Sequence, residues 1–141
     1  MTELRRLFSD SGFIHARFVA TVDLRLRKEF GLTLPLFDSM AAIEDVHACR
    51  VHDLAARLGM TSGGASKLVD RLGALGYCER RPNSGDRRSS LLDLTPAGRR
   101  LLAQAAPVVD DELDRLIGQV LSEPQVRELA RIIRALRARI D

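Results

Sequence analysis

Residues 52–95 read HDLAARLGMTSGGASKLVDRLGALGYCERRPNSGDRRSSLLDLT, and the hydrophobic period changes once inside this stretch. His52–Leu58 and Ser62–Leu75 repeat apolar residues every three or four positions, which is helical spacing. Gly59-Met60-Thr61 separates them: a glycine suited to a turn, then a threonine placed to cap the second helix. Gly76 is placed to end that helix. Beyond it, Tyr77–Arg81 and Ser89–Leu94 are short strand-like runs on either side of Pro82-Asn83-Ser84-Gly85-Asp86, a β-hairpin signal.

Working outward, Leu4, Leu7, Phe8, Ile14, Phe18, Val22 and Leu26 trace one stripe of a helix running to about Phe30, with Gly31 as its stop. A second helix over Leu34–Asp45 opens with Thr33 and an early Pro35. Residues 46–51, VHACRV, predict a single short edge strand. On the other side, Thr95-Pro96 starts a long helix, and Pro107 inside it predicts a kink or a break. Ser122-Glu123-Pro124-Gln125 reads as a capping box for a last helix. There Val126, Leu129, Ile133, Leu136 and Ile140 form a coiled-coil-like seam.

A short helix pair followed by a β-hairpin, set among longer helices, is a winged helix-turn-helix. The expected fold is therefore α+β, mainly α, in a single domain. Residues 34–95 form the winged lobe, and residues 1–30 and 96–141 supply N- and C-terminal dimerisation helices. Apolar stripes at both chain ends are more than a monomer of this size should expose, so a homodimer is expected.

Composition bounds the function. The 141 residues are 45% hydrophobic and 29% charged, a globular balance. No run of about 18 apolar residues is present, and MTELRRLFSDSGF lacks the apolar core of a signal peptide, so the expectation is a cytoplasmic protein without membrane partners. Residues 50–88 hold eight Arg or Lys against four Asp or Glu, so this segment carries +4 while the rest of the chain sums to −1. A positive segment in a near-neutral frame suits double-stranded DNA, although charge alone fits a solvated face equally well. No nucleophile elbow, P-loop or dinucleotide fingerprint occurs, so neither enzymatic activity nor a cofactor is expected.

The stretch Gly31–Leu102 resembles the MarR family of bacterial regulators. The similarity runs through GLTLPLF, DLAARLGMTSGGASKLVDRLGALGY and ERRPNSGDRRSSLLDLTPAGRRLL. Its most specific piece is the wing, where Asp86-x-Arg88, Leu92, Leu94 and Thr95-x-x-Gly98 match the family signature D-x-R-x-x-x-[VL]-x-L-T-x-x-G. The resemblance implies a homodimeric transcriptional regulator, most often a repressor, that binds near-palindromic operator DNA. It also implies that Arg88 enters the minor groove, where negative potential is enhanced, with Asp86 holding its guanidinium in a salt bridge. Arg87 would then lie near the phosphates.

Packing of the helix pair through Leu54, Ala55, Leu58, Val69 and Leu72 leaves Ser62, Gly63, Ser66, Lys67 and Asp70/Arg71 facing outward, with Thr61 at the helix start. Such N-terminal positions reach base edges in the major groove. Gly63-Gly64 departs from the polar, β-branched residues usual in the family, which shifts weight toward backbone and shape contacts.

Three weaker signals carry alternatives. His15, Phe37 and Met40 either line a pocket for a small aromatic or phenolic effector, the class related regulators bind, or serve as core and interface residues. His47, Cys49 and His52, with Cys78 joining in space, are the candidates for a metal-responsive variant; their spacing is not that of a zinc finger. The same cysteines would serve a redox-responsive variant, although no cysteine lies in the first helix, where the family's peroxide sensors carry theirs. A winged-helix protein-interaction module is the remaining rival to a DNA-binding protein.

Overall fold

The computed structural model describes residues 2–86 and 88–140. Helix α1 spans Glu3–Phe30, capped by the Thr2 side chain and closed by Gly31 in the left-handed conformation (φ 63°). Helix α2 spans Leu34–Asp45, α3 Val51–Leu58 and α4 Ser62–Ala74. Strands β1 (Cys78–Pro82) and β2 (Ser90–Leu94) pair antiparallel, from Cys78 opposite Leu94 to Pro82 opposite Ser90. Helix α5 covers Pro96–Leu113, a π-helical segment covers Asp114–Gly118, and α6 covers Glu123–Arg137. The result is a mainly helical winged helix-turn-helix with a two-stranded wing. No helix among the described residues is long and apolar enough to cross a membrane.

The caps form as their chemistry dictates. Thr33, Thr61 and Thr95 each accept a backbone N–H three residues on, and the Gln125 side chain accepts the Ser122 N–H at 2.8 Å. Asp23 of α1 takes the Leu34 N–H at 2.8 Å, which fixes the start of α2. That backbone contact, with Arg27 beside it, holds the Asp23 carboxyl below its ordinary range despite the cost of burial.

One expectation fails. Residues 46–51 make no strand: Val46 still closes α2 through the Ala42 carbonyl, and Arg50 already starts α3. Only a turn fits between them, with Ala48 at φ 51°. A single hydrogen bond from Leu92 N–H to the Cys49 carbonyl (2.7 Å) is what remains of edge pairing. Of the kink or break expected at Pro107, the break does not occur, and α5 runs on through it. Pro107 lies on the exposed side, where the carbonyl it deprives of a donor is not buried, and the departure from α geometry comes later, at Asp114–Gly118.

The core sits where α2, α3, α4 and the wing meet the inner ends of α1 and α5. Leu26, Met40, Leu54, Val69, Leu72 and Leu94 are essentially inaccessible. The outer part of α1 and all of α6 contribute nothing buried. Leu4, Leu7, Phe8, Ile133, Leu136 and Ile140 stand open to solvent, Ile140 at 85%. Where the lobe joins α5, Thr95 donates its hydroxyl to the Gly76 carbonyl (2.6 Å), and its N–H to that of Tyr77 (3.1 Å).

Candidate nucleic-acid interface

Helix α4 divides cleanly. Ala65, Val69 and Leu72 are buried against α3 and the core, so Ser62/Gly63, Lys67 and Asp70/Arg71 are left on the exposed face, with Ser66 half-buried beside them. Thr61 is committed to its cap: its Oγ1 accepts the Gly64 N–H at 3.1 Å. Gly63 has nothing within 4 Å of where a side chain would begin, so no internal packing requires glycine there. The helix start is open for another molecule's backbone or phosphate to approach.

The wing tip is held by its own side chains. Asn83 Oδ1 accepts the Gly85 N–H (3.0 Å), Asn83 Nδ2 donates to Ser89 Oγ (3.3 Å), and Ser89 Oγ donates to Asp86 Oδ2 (3.4 Å). Asp86 Oδ1 takes the backbone N–H of Arg88 at 2.9 Å. This corrects the expected salt bridge: Asp86 orders the backbone that carries Arg88 through Oδ1 and accepts the Ser89 hydroxyl at Oδ2. Among the described residues, the Arg88 guanidinium has no carboxylate partner. Arg87 lies outside the described residues.

Ion pairing sorts the remaining cations. Arg50 pairs with Asp53 (3.2 Å), Arg57 with Asp45 (2.7 Å), Arg80 with Asp70 (2.9 Å) and Arg81 with Asp93 (2.7 Å). Lys67, Arg71 and Arg88 have no such partner among the described residues. The net positive charge of this lobe therefore resolves onto the outward face of α4 and the wing. A cleft between the start of α3 and the wing brings Arg88 together with Arg50, His52, Arg80, Ser89 and Ser90.

Arg80 is the residue that sequence reasoning missed. The signal was strand parity: Arg80 lies two residues from buried Cys78, so it shares the face of β1 turned toward α4.

Comparison with known proteins agrees with this geometry. A sequence profile described as MarR family matches residues 30–89, the span from the end of α1 to the wing. The transcriptional repressor MprA of Escherichia coli K12 is 29% identical over 119 residues, covering 83% of this chain and 67% of MprA. This chain belongs to the MarR family. The MarR fold extends to the flanking helices as well. AbsC, a MarR family regulator from Streptomyces coelicolor, superposes with a TM-score of 0.89 over 99% of this chain and 96% of its own, at 17% identity. Sco3205 from the same organism, solved in complex with DNA, gives 0.86 over 96% and 87%, at 22% identity. As a MarR regulator, the protein is a transcription factor and not an enzyme.

The weaker candidates of this MarR protein are dispersed. Met40 is fully buried and Phe37 nearly so in the core, whereas His15 stands on the exposed face of α1, outside that cluster. His47 and His52 are exposed and Cys49 is buried, and the described residues contain no group of three such side chains placed to share a metal ion. Cys49 and Cys78 are free and buried. Burial, with Asp53 and Cys78 nearby, pushes the Cys49 thiol up to about 11, and burial raises Cys78 as well. Thiols held in the neutral form are poor nucleophiles, which argues against a peroxide-sensing role.

Proposed function

We propose that this MarR-family protein is a cytoplasmic, homodimeric repressor that binds a near-palindromic operator sequence-specifically. In this reading residues 34–95 are the DNA-binding lobe, and residues 1–30 and 96–141 pair the two copies. The observation that carries it is the sorting of charge within residues 34–95: the cations there without a carboxylate partner among the described residues, Lys67, Arg71 and Arg88, lie on the helix and the wing that a winged helix presents to DNA. Thr61, Ser62, Gly63 and Ser66 lie beside them at the start of α4 to meet base edges and phosphate. Asp86 orders the turn from which Arg88 and Arg87 reach the minor groove and its phosphates.

The exposed apolar residues at both chain ends support the dimer, which would set two α4 helices one DNA turn, about 34 Å, apart. Repression follows the relative named as a transcriptional repressor, and DNA as the ligand follows the relative solved with it.

Release by a small aromatic or phenolic anion belongs to the same proposal. Because Phe37 and Met40 are packed in the core, its site near them and His15 has to open from the closed protomer or be completed by the second copy.

The test is titration of the full chain against DNA from upstream of its own gene, for wild type and Arg88→Ala, at two salt concentrations. Tight, salt-sensitive binding that collapses in the variant is expected. Wild-type binding that is absent, or insensitive to salt, would point to the protein-interaction alternative.

A further inference from the structure

We propose that Arg80 is a positioning residue for DNA binding: it cancels the one carboxylate on the recognition helix and presents Ser66 to DNA as a hydrogen-bond donor. The inference rests on the reading of α4 as the DNA-facing helix.

Asp70 is the only acidic residue in α4, and it sits on the exposed face beside Arg71, one turn beyond Ser66 and Lys67. An unpartnered carboxylate there would repel the phosphates that Lys67 and Arg71 are placed to attract. One nitrogen of the Arg80 guanidinium meets both neighbours, Asp70 Oδ1 at 2.9 Å and Ser66 Oγ at 3.4 Å. It reaches them from β1, so the same contact ties the recognition helix to the strand that carries the wing. Arg80 also borders the cleft that contains Arg88.

The hydrogen-bond polarity at Ser66 follows. A guanidinium only donates, so Ser66 Oγ is an acceptor in this contact and its own proton is left to point outward. Ser66 thereby keeps its proton as a donor toward DNA, suited to guanine O6 or N7, thymine O4 or a phosphate oxygen, with one of its two acceptor positions already taken by Arg80.

The pair is solvent-accessible, with side-chain exposures of 39% for Arg80 and 69% for Asp70, so its removal should leave folding intact. That makes a double-mutant cycle practicable. Wild type, Arg80→Ala, Asp70→Asn and the double variant are titrated against the DNA upstream of the protein's own gene at one salt concentration, with thermal melting as a folding check. Arg80→Ala is expected to weaken binding about tenfold with an unchanged melting temperature. Asp70→Asn should tighten binding severalfold, and the double variant should recover most of the loss caused by Arg80→Ala. If Arg80→Ala and the double variant are equally weak, Arg80 contacts phosphate itself and the inference is overturned while the DNA reading stands. If wild type binds no DNA, the reading of the helix falls and takes this inference with it.

Discussion

Gly98 packs so closely against Tyr77 that a Cβ placed on it would collide with the Tyr77 carbonyl oxygen and stand 3.0 Å from the carbonyl carbon. That oxygen also accepts the Thr95 N–H at 3.1 Å, so the obstacle is backbone that is already hydrogen-bonded. The threonine and glycine of the Thr95-x-x-Gly98 motif are therefore a joint between the wing and α5.

Gly98→Ala is expected to destabilise the protein by about 1–3 kcal/mol, because the wing must shift to admit the methyl group. Ordinary helix propensity would favour alanine over glycine by about 1 kcal/mol, so the sign of the change reports the clash. Gly73→Ala is the control: its Cβ would meet only the Cys78 carbonyl, at an ordinary 3.7 Å. Urea unfolding of both variants decides the matter, and an unchanged or raised midpoint for Gly98→Ala would refute the argument.

Lys67 and Arg57 differ in whether a carboxylate already engages them. Arg57 sits 2.7 Å from Asp45, whereas Lys67 has no partner among the described residues. Lys67→Ala should lower the slope of log affinity against log salt by about 0.9, the signature of one lost phosphate contact. Arg57→Ala should leave that slope unchanged. Equal slopes for Lys67→Ala and wild type would remove Lys67 from the interface.

What the sequence made legible is local chemistry. Thr61, Thr95, Gly31 and Gly59 announce helix ends because a cap needs only residues within one turn of itself, and the strands around Asn83-Ser84-Gly85 follow from their period. VHACRV misled because β-branched composition says nothing about whether two neighbouring helices have already claimed its ends. The resemblance implied a salt bridge between Asp86 and the Arg88 guanidinium, whereas in the turn Asp86 takes the Arg88 backbone N–H. Arg80 was hidden because its partners, ten and fourteen residues away, become neighbours only when β1 folds back along α4.

Cys49 gives the protein a pH dependence with a defined sign. The folded thiol is pushed by burial from its ordinary 9.0 up to about 11, so between those values the unfolded chain loses its proton while the folded one keeps it. Stability should be unaffected by this group below pH 9.0 and fall as pH rises through that window. Cys78, raised in the same direction, adds to the effect. Denaturant midpoints measured across this range for wild type and Cys49→Ala check it, with a shallower decline expected in the variant. At neutral pH both thiols should resist alkylation in the native state and react promptly in urea. Rapid native-state labelling of either would contradict the burial seen here and reopen a redox role.

The apolar residues at the two chain ends make the strongest claim on quaternary structure. Phe8 is 82% exposed on α1 and Leu136 is 60% exposed on α6, at opposite ends of the sequence, and neither is covered by anything in its own protomer. Burial of such a side chain against a second copy contributes roughly 1.5–3 kcal/mol, and a carboxylate in its place adds a desolvation cost of several more. In a two-fold dimer every substitution also acts twice. Phe8→Glu and Leu136→Glu are therefore each expected to weaken self-association by at least about a hundredfold, which sedimentation across a concentration series would read directly. Phe8 and Leu136 lie outside the core that joins α2, α3, α4 and the strands to the inner ends of α1 and α5, so the circular dichroism and the burial of Cys78 should survive the change. Operator affinity should fall together with dimer content, because one α4 helix alone reads only half a site. A Phe8→Glu or Leu136→Glu protein that remained dimeric would place the subunit contact elsewhere, and one that became monomeric yet bound DNA at wild-type affinity would separate recognition from symmetry.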